Sequence, residues 1–212
     1  NSCEIIQQYV DKDSRIKLFR LTQNSGAGVA RNNSIKESEG RFIAFCDSDD
    51  RWKTEKLEVQ LSFMIEKNVE ICYSSYLTCD EKNNITGIVV GYRSVSYNKI
   101  LKDDSIGFLT CIYDTTNVGK IYMPQLRKRQ DWAMKILLMQ KCPMAYGVRD
   151  VLAYYRVRGD SLSNNKFKLI RYNVQVYKEV LHFNWLLSWA MFIFIFCPHH
   201  LVKKSRLLII NQ

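Results

Sequence analysis

Three carboxylates, Asp47, Asp49 and Asp50, stand within four positions at the end of the apolar run in "FIAFCDSDDRW" (42–52). A strand that buries Phe42, Ile43, Ala44 and Phe45 and then ends in that much charge needs water or a cation to offset it. Hard divalent cations such as Mg2+ and Mn2+ take oxygen ligands, commonly one or two carboxylates completed by substrate phosphates. Asp47 and Asp49 therefore qualify as a metal site facing a diphosphate, and a solvated acidic turn is the alternative. Asp50 is equally placed to cap the next helix. Upstream, "NSGAGVARN" (24–32) sets Gly26 and Gly28 in a loop leading into a helix, a geometry in which backbone N–H groups approach phosphate. Arg31 and Asn32 sit in its early turns, and a tight connection that uses glycine for its backbone freedom is the alternative. A third candidate is Asp131 in "KRQDWAMK". It is either a carboxylate that complements its helix dipole, worth ~0.3–1 kcal/mol, or a general base.

These residues need elements to hold them. Residues 1–11 read as the tail of a helix with Ile5, Ile6 and Tyr9 on one side, and "RIKLFRL" (15–21) alternates with the period of a half-buried strand. A short helix comes after the glycine loop. Its small residues Ala27, Ala30 and Ser34 predict close packing, and Gly40 is placed to end it. Strand 41–46 comes next, then a helix whose predicted face is Leu57, Leu61, Met64 and Ile65. "VEICYSSYLTC" and "ITGIVVGY" flank the turn "DEKNN" as two further strands. Strand, helix, strand, helix, strand predicts an α/β sheet with parallel strands. Residues 105–125 read as irregular, a helix starts near Gln130, "MAYGV" and "VLAYYRV" are two short apolar stretches, and a helix covers about 165–182. "FNWLLSWAMFIFIFC" (183–197) is the most apolar segment. Its length falls below the roughly 20 residues a spanning helix needs. Trp185 and Trp189, with Lys203, Lys204 and Arg206 beyond Pro198, suit an interfacial helix, against the alternatives of a core helix or a docking surface for another subunit.

Composition bounds the reading. The chain has 212 residues, 47% of them hydrophobic, enough for a packed core. Its net charge of +10 comes from 31 basic and 21 acidic residues. The basic residues are dispersed, and no zinc-finger or RNP-like pattern occurs, so nucleic acid is not an expected partner. The seven cysteines lack paired metal spacing, and Cys46, Cys72, Cys111 and Cys142 lie in apolar contexts, which predicts buried, reduced thiols and a cytoplasmic setting.

Taken in order, "NSGAGVARNNSIKESEGRFIAFCDSDDRW", "RKRQDWAMKIL" and "LAYYRVRGDSLSNNK" resemble the signature of family 2 glycosyltransferases of the GT-A fold, over residues 1 to about 166. The likeness is to bacterial capsule and teichuronic-acid type transferases. It implies a GT-A, Rossmann-like α/β fold: a mostly parallel sheet flanked by helices, with domain 1–166 followed by a C-terminal helical segment 167–212. It implies that Asp47 and Asp49 hold Mg2+ or Mn2+ on the diphosphate of a nucleotide-sugar donor, expected to be a UDP-sugar. Asn24, Gly26, Arg31, Asp47 and Arg158 would contact that donor. Asp131 would take the proton from a hydroxyl of a glycan or lipid-linked acceptor, in one inverting displacement during bacterial surface polysaccharide synthesis. Trp132 would line the acceptor path, with core packing as its alternative. Where many members carry a histidine after Tyr-Arg, this chain has Arg158, a phosphate-binding side chain that cannot ligate a metal; Ser161 and Ser163 are expected to support its loop. "NSCEIIQQY" resembles the stretch just after the family's first strand–helix–strand unit, so the expectation is an N-terminally truncated chain that binds a uridine nucleotide poorly. A non-catalytic binding or scaffold remnant is the competing reading. The expected location is cytoplasmic, at the inner face of the plasma membrane, with peripheral contact through residues 183–206.

Overall fold

A computed structural model describes residues 2–158, 166–202 and 207–209. The chain opens with α1 (Ser2–Val10) and an extended, exposed segment, then α2 (Ala27–Glu37), β1 (Phe42–Ala44), β2 (Arg51–Trp52) and α3 (Lys56–Lys67). The sheet continues through β3 (Ile71–Cys79), β4 (Ile85–Val89) and β5 (Ser94–Ser96). After α4 (Tyr97–Ile100) come β6 (Ile112–Asp114), α5 (Thr115–Val118), α6 (Gln130–Lys141) and β7 (Met144–Arg156). The chain then runs through α7 (Lys166–Leu181), α8 (Trp185–Met191), α9 (Cys197–Val202) and β8 (Leu207–Ile209).

β3 is the centre of the sheet, and its residues are apolar or small and mostly buried on both faces. One edge pairs in parallel with β7; the other pairs antiparallel with β6 at its start and with β4 at its end. β1 extends the sheet beyond β6, and β8 extends it beyond β4. β7 also carries the short strands β2 and β5, both antiparallel. The sheet is thus mixed, with one parallel pairing among the described strands, where a mostly parallel sheet was expected. Hairpins and returning short strands join neighbours in opposite directions without a crossover helix. The two apolar stretches expected after residue 143 form one strand, β7, whose register against β3 shifts twice and so accommodates the polar residues between them.

Several other expectations are corrected. Residues 15–21 form no strand, and Ile16, Phe19 and Leu21 are exposed, because no described strand offers them a ladder. α2 packs through Gly28 and Ile35, while Ala27, Ala30 and Ser34 face outward. It ends at Glu37 with extended Ser38, before Gly40. On α3 the buried face is Lys56, Gln60 and Met64; Leu57 and Ile65 are exposed. The irregular stretch 105–125 contains β6 and α5, with Asp114 capping α5 through the Thr116 N–H at 2.9 Å and pairing with Arg41 at 2.7 Å. All seven cysteines are free; Cys46 is exposed, and Cys79 is buried with Cys72, Cys111 and Cys142.

The main core lies between the sheet and the C-terminal helices. Trp132 of α6 is fully buried, donates its indole N–H to the Ile100 carbonyl at 2.7 Å, and meets Tyr177 and Phe196 at 5.7 and 5.6 Å between ring centroids. α8 continues through a π-helical turn, Phe192–Phe196, into α9. Pro198 lacks an N–H and its ring crowds the carbonyl four residues earlier, which widens the helix there. Among the described residues no single helix is long and apolar enough to cross a membrane; the α7 and α8–α9 pair reaches that composition only together, bent by 119°.

Candidate active site

The acidic turn leaves the end of β1 and is anchored on both sides. The Asp50 N–H donates to the Asp47 carbonyl at 3.0 Å, which closes the turn. Asp50 itself accepts from the Arg156 N–H at 3.0 Å, and β2 then pairs with β7. Asp50 is therefore a tie between the turn and β7. It does not cap α3, whose first residue is Lys56. Burial raises Asp50 to about 6, the Arg156 N–H opposes this, and the charges of Asp49 and Asp47 add to it. The strand ahead buries only Ile43 fully.

Asp47 and Asp49, both part-exposed, have different partners. Arg31, from the second turn of α2, grips Asp47: its Nη2 lies 2.5 and 2.6 Å from the two carboxylate oxygens and its Nε 3.1 Å from one of them. Such a paired fork is a strong, oriented interaction. The same guanidinium lies 5.1 Å from the Phe108 ring centroid, and Phe108 stacks on Phe45 at 4.4 Å. Among the described residues, Asp49 has a long ion pair, 3.7 Å to Arg158 Nη1, between two substantially exposed side chains. Exposed pairs of this kind contribute ~0–1 kcal/mol, so a substrate can displace this one. Ser161 and Ser163 lie outside the described residues.

Asn24 and Gly26 form the turn before α2: the Asn24 side-chain oxygen accepts from the Gly26 N–H at 3.1 Å, and Gly26 adopts φ 83°. Both are exposed, and their hydrogen bonds are to each other and to the start of α2. Gly28 serves a different purpose. A Cβ there would come within 2.5 Å of the Gln130 side chain, so its absence lets the N-terminus of α2 approach the N-terminus of α6. That approach brings the glycine loop and Asp131 into one region. Asn32 fastens the same region by exchanging two hydrogen bonds with the Met123 backbone, at 2.9 and 2.7 Å.

Asp131 stands in the first turn of α6, behind Arg129, a residue with φ 65° whose Nε donates to Asn173 of α7 at 2.9 Å. Burial pushes Asp131 upward, but Lys135, the Trp132 N–H, Arg129 and Arg31 outweigh it and hold the carboxyl below the ordinary range. It is ionised at neutral pH. Lys135, one turn along, lies 3.6 Å from it. Trp132, expected along the acceptor path, faces the opposite way into the core; the helix period separates adjacent side chains by about 100°. Phe108, Asp104 and Lys135 belong to the site and were not singled out from the sequence. Lys135 was legible as a cation at i+4 from Asp131, whereas Asp104 and Phe108 come from a stretch without periodicity.

The donor set can be tested against a divalent cation. Asp47 and Asp49 offer only oxygens, on a half-exposed turn, which suits Mg2+ or Mn2+. Among the described residues no group of three or more His, Cys, Asp or Glu could hold a metal, so a cation here would need oxygens from its substrate. Both residues fit that arrangement, Asp47 only by sharing its carboxylate with Arg31.

Comparison with known proteins gives the family and the fold. The family model described as glycosyl transferase family 2 matches residues 1–131. The chain is 40% identical over 183 residues to TuaG of Bacillus subtilis (strain 168), a protein assigned to teichuronic acid biosynthesis as a glycosyltransferase, covering 85% of this chain and 73% of that one. It is 37% identical over 159 residues to WfgD of Escherichia coli, a UDP-Glc:alpha-D-GlcNAc-diphosphoundecaprenol beta-1,3-glucosyltransferase, covering 75% of this chain and 62% of that one. The fold is similar to the crystal structure of S. aureus TarS 1-349 in complex with UDP-GlcNAc, with a TM-score of 0.67 at 19% identity, over 95% of this chain and 61% of that one. The chain thus spans between three-fifths and three-quarters of these proteins. On the matched family model and the TuaG identity, this chain belongs to glycosyl transferase family 2.

Proposed function

We propose that this chain carries the catalytic machinery of a glycosyltransferase that moves a sugar from a UDP-sugar to a hydroxyl of a glycan or lipid-linked acceptor, in bacterial surface polysaccharide synthesis. The observation that carries the reading is that Arg31, which grips Asp47 of the acidic turn, also acts on the ionised Asp131 at the start of α6. A base and a cation-competent turn linked through one arginine suit sugar transfer from a diphosphate. The teichuronic acid and diphosphoundecaprenol relatives support the substrate classes.

In the proposed reaction Asp131 accepts the proton of the acceptor hydroxyl, and that oxygen attacks the anomeric carbon as the bond to the diphosphate breaks. One displacement inverts the anomeric centre. Asp49 and Asp47 would hold Mg2+ or Mn2+, which supplies positive charge beside the departing diphosphate. Arg31 keeps Asp47 aimed, and Arg158, beside Asp49, would bind phosphate oxygens. Asn24 and Gly26 shape the loop over the donor. The exposed side chains Trp185, Leu186 and Phe194 of the α8 helix and its π-turn support peripheral contact with the cytoplasmic face of the membrane, where a lipid-linked acceptor resides.

The test is turnover with UDP-glucose and UDP-GlcNAc. Asp131→Asn and Asp49→Asn are each expected to lower kcat at least about 10²-fold, the lower bound for losing general-base catalysis, with thermal unfolding unchanged. Wild-type rates in both variants would overturn the assignment.

A further inference from the structure

Lys135 is 3% exposed, an uncommon environment for an ammonium, and three groups surround it. Its Nζ lies 2.5 Å from Asp104, donates to the Ile106 carbonyl at 2.7 Å, and lies 3.6 Å from Asp131 Oδ2. The three N–H directions of an ammonium thus each have an acceptor or an anion. Lys135 also lies 5.9 Å from the Phe108 ring, the ring that Arg31 covers from 5.1 Å. The Lys135–Asp131 pair and the Arg31–Asp47 pair therefore share one aromatic neighbour.

We infer that Lys135, held in place by Asp104, is a positioning residue that keeps Asp131 ionised and turns one of its oxygens inward, leaving the other for the acceptor hydroxyl. This rests on the reading of Asp131 as the proton acceptor. A buried pair kept only for stability is the competing account, since such pairs are often replaceable by apolar side chains. The two accounts differ in electrostatics. The charged groups that face Asp131 are Lys135 on its own helix, Arg129 before it, Arg31 of α2 and Asp104 of the segment after α4; the Tyr155 hydroxyl of β7 also feels its charge. Asp104 is burdened by burial and by Asp131, relieved in part by Lys135, and rises to about 6. Removing Lys135 takes away the nearest cation, so Asp131 should bind its proton more tightly. Asp104 takes up its proton near pH 6, before Asp131 does, so removing its charge should leave the proton affinity of Asp131 little changed.

Carboxyl 13C NMR titration of the aspartate-labelled chain reads this directly, with the Asp131 resonance assigned by its loss in Asp131→Asn. Lys135→Met is expected to raise the Asp131 midpoint by about one pH unit or more, the size of effect that one nearby charge produces. Asp104→Asn is expected to leave it near the wild-type value, and Lys135→Arg to restore it toward wild type. The acid limb of kcat/KM with UDP-glucose should move in the same directions. Should Lys135→Met fail to fold, Lys135→Gln, which keeps hydrogen-bonding capacity without the charge, decides the matter by the same upward shift. A midpoint unmoved in the folded variant that lacks the Lys135 charge, or raised as much by Asp104→Asn, overturns the positioning role. Undiminished turnover in Asp131→Asn would instead overturn the parent reading, so the two failures are distinguishable.

Discussion

Lys56 is the side chain whose burial costs most for least return. It has no exposed surface, and its Nζ has no hydrogen-bond partner among the described protein atoms. Its neighbours are the Trp52 ring, 4.1 Å away, and the thiols of Cys111, Cys72 and Cys46. Burial lowers its pKa from 10.5 to about 8 against the small opposing effect of those thiols. A shift of that size is on the order of 3 kcal/mol against folding at pH 7, offset by a cation–π contact of about 0.5–2 kcal/mol. Lys56→Met should therefore raise stability at pH 7 by about 1–3 kcal/mol. The sign comes from linkage: because the folded pKa lies below the unfolded one, the wild-type cost is full below pH 8 and gone above 10.5. Urea unfolding at neutral pH and again near the upper value checks this. A variant less stable than wild type at pH 7 would show that Lys56 has a stabilising role the geometry does not reveal.

At the scale of elements, the site depends on two helix N-termini meeting. α2 brings Arg31 and α6 brings Asp131, and they approach because Gly28 leaves room for the Gln130 side chain, which donates to the Leu126 carbonyl. Gly28→Ala places a methyl where the Gln130 amide now sits. Because that amide ends a flexible side chain, the cost in stability is a lost hydrogen bond, about 0.5–1.5 kcal/mol. The cost in function should be larger, because Gln130 adjoins Asp131. We expect the variant to unfold within a few degrees of wild type while its kcat/KM falls about tenfold or more, in line with the sensitivity of catalysis to small displacements. A variant that loses stability but keeps its rate would mean that the α2–α6 approach serves packing alone.

For the whole molecule, the C-terminal helices have two faces with different duties. Phe192 and Phe196 are buried in the core beside Trp132, whereas Leu186 and Phe194 are 74% and 72% exposed. Removing the segment would therefore confuse membrane contact with folding. Substituting only the outer face avoids this. Leu186→Glu with Phe194→Glu should leave thermal unfolding unchanged and reduce sedimentation with phosphatidylglycerol vesicles severalfold, because apolar area and favourable charge both drive interfacial binding. Undiminished binding would exclude this face. Lys203, Lys204 and Arg206, the basic residues beyond it, lie outside the described residues.

Local chemistry made much of this legible from the chain alone. The acidic cluster at the end of a strand, the glycine turn before a helix, the start of α6 at Gln130 and the helix over 166–181 depend on neighbours within a few residues, and all are found in the structure. The glycine loop and the aspartates also sufficed to point to the family. Other features depend on what lies across space, which periodicity does not encode. Strand direction is set by which edges of β3 are open, so the sheet is mixed and 15–21 stays unpaired. Which face of α3 is buried depends on the sheet beneath it, which puts Lys56 inside and Leu57 outside. Trp132 and Asp131 are adjacent in sequence, yet the helix turns one into the core and the other toward the site. Asp104 and Lys135 are 31 positions apart, and only the tertiary fold makes them partners.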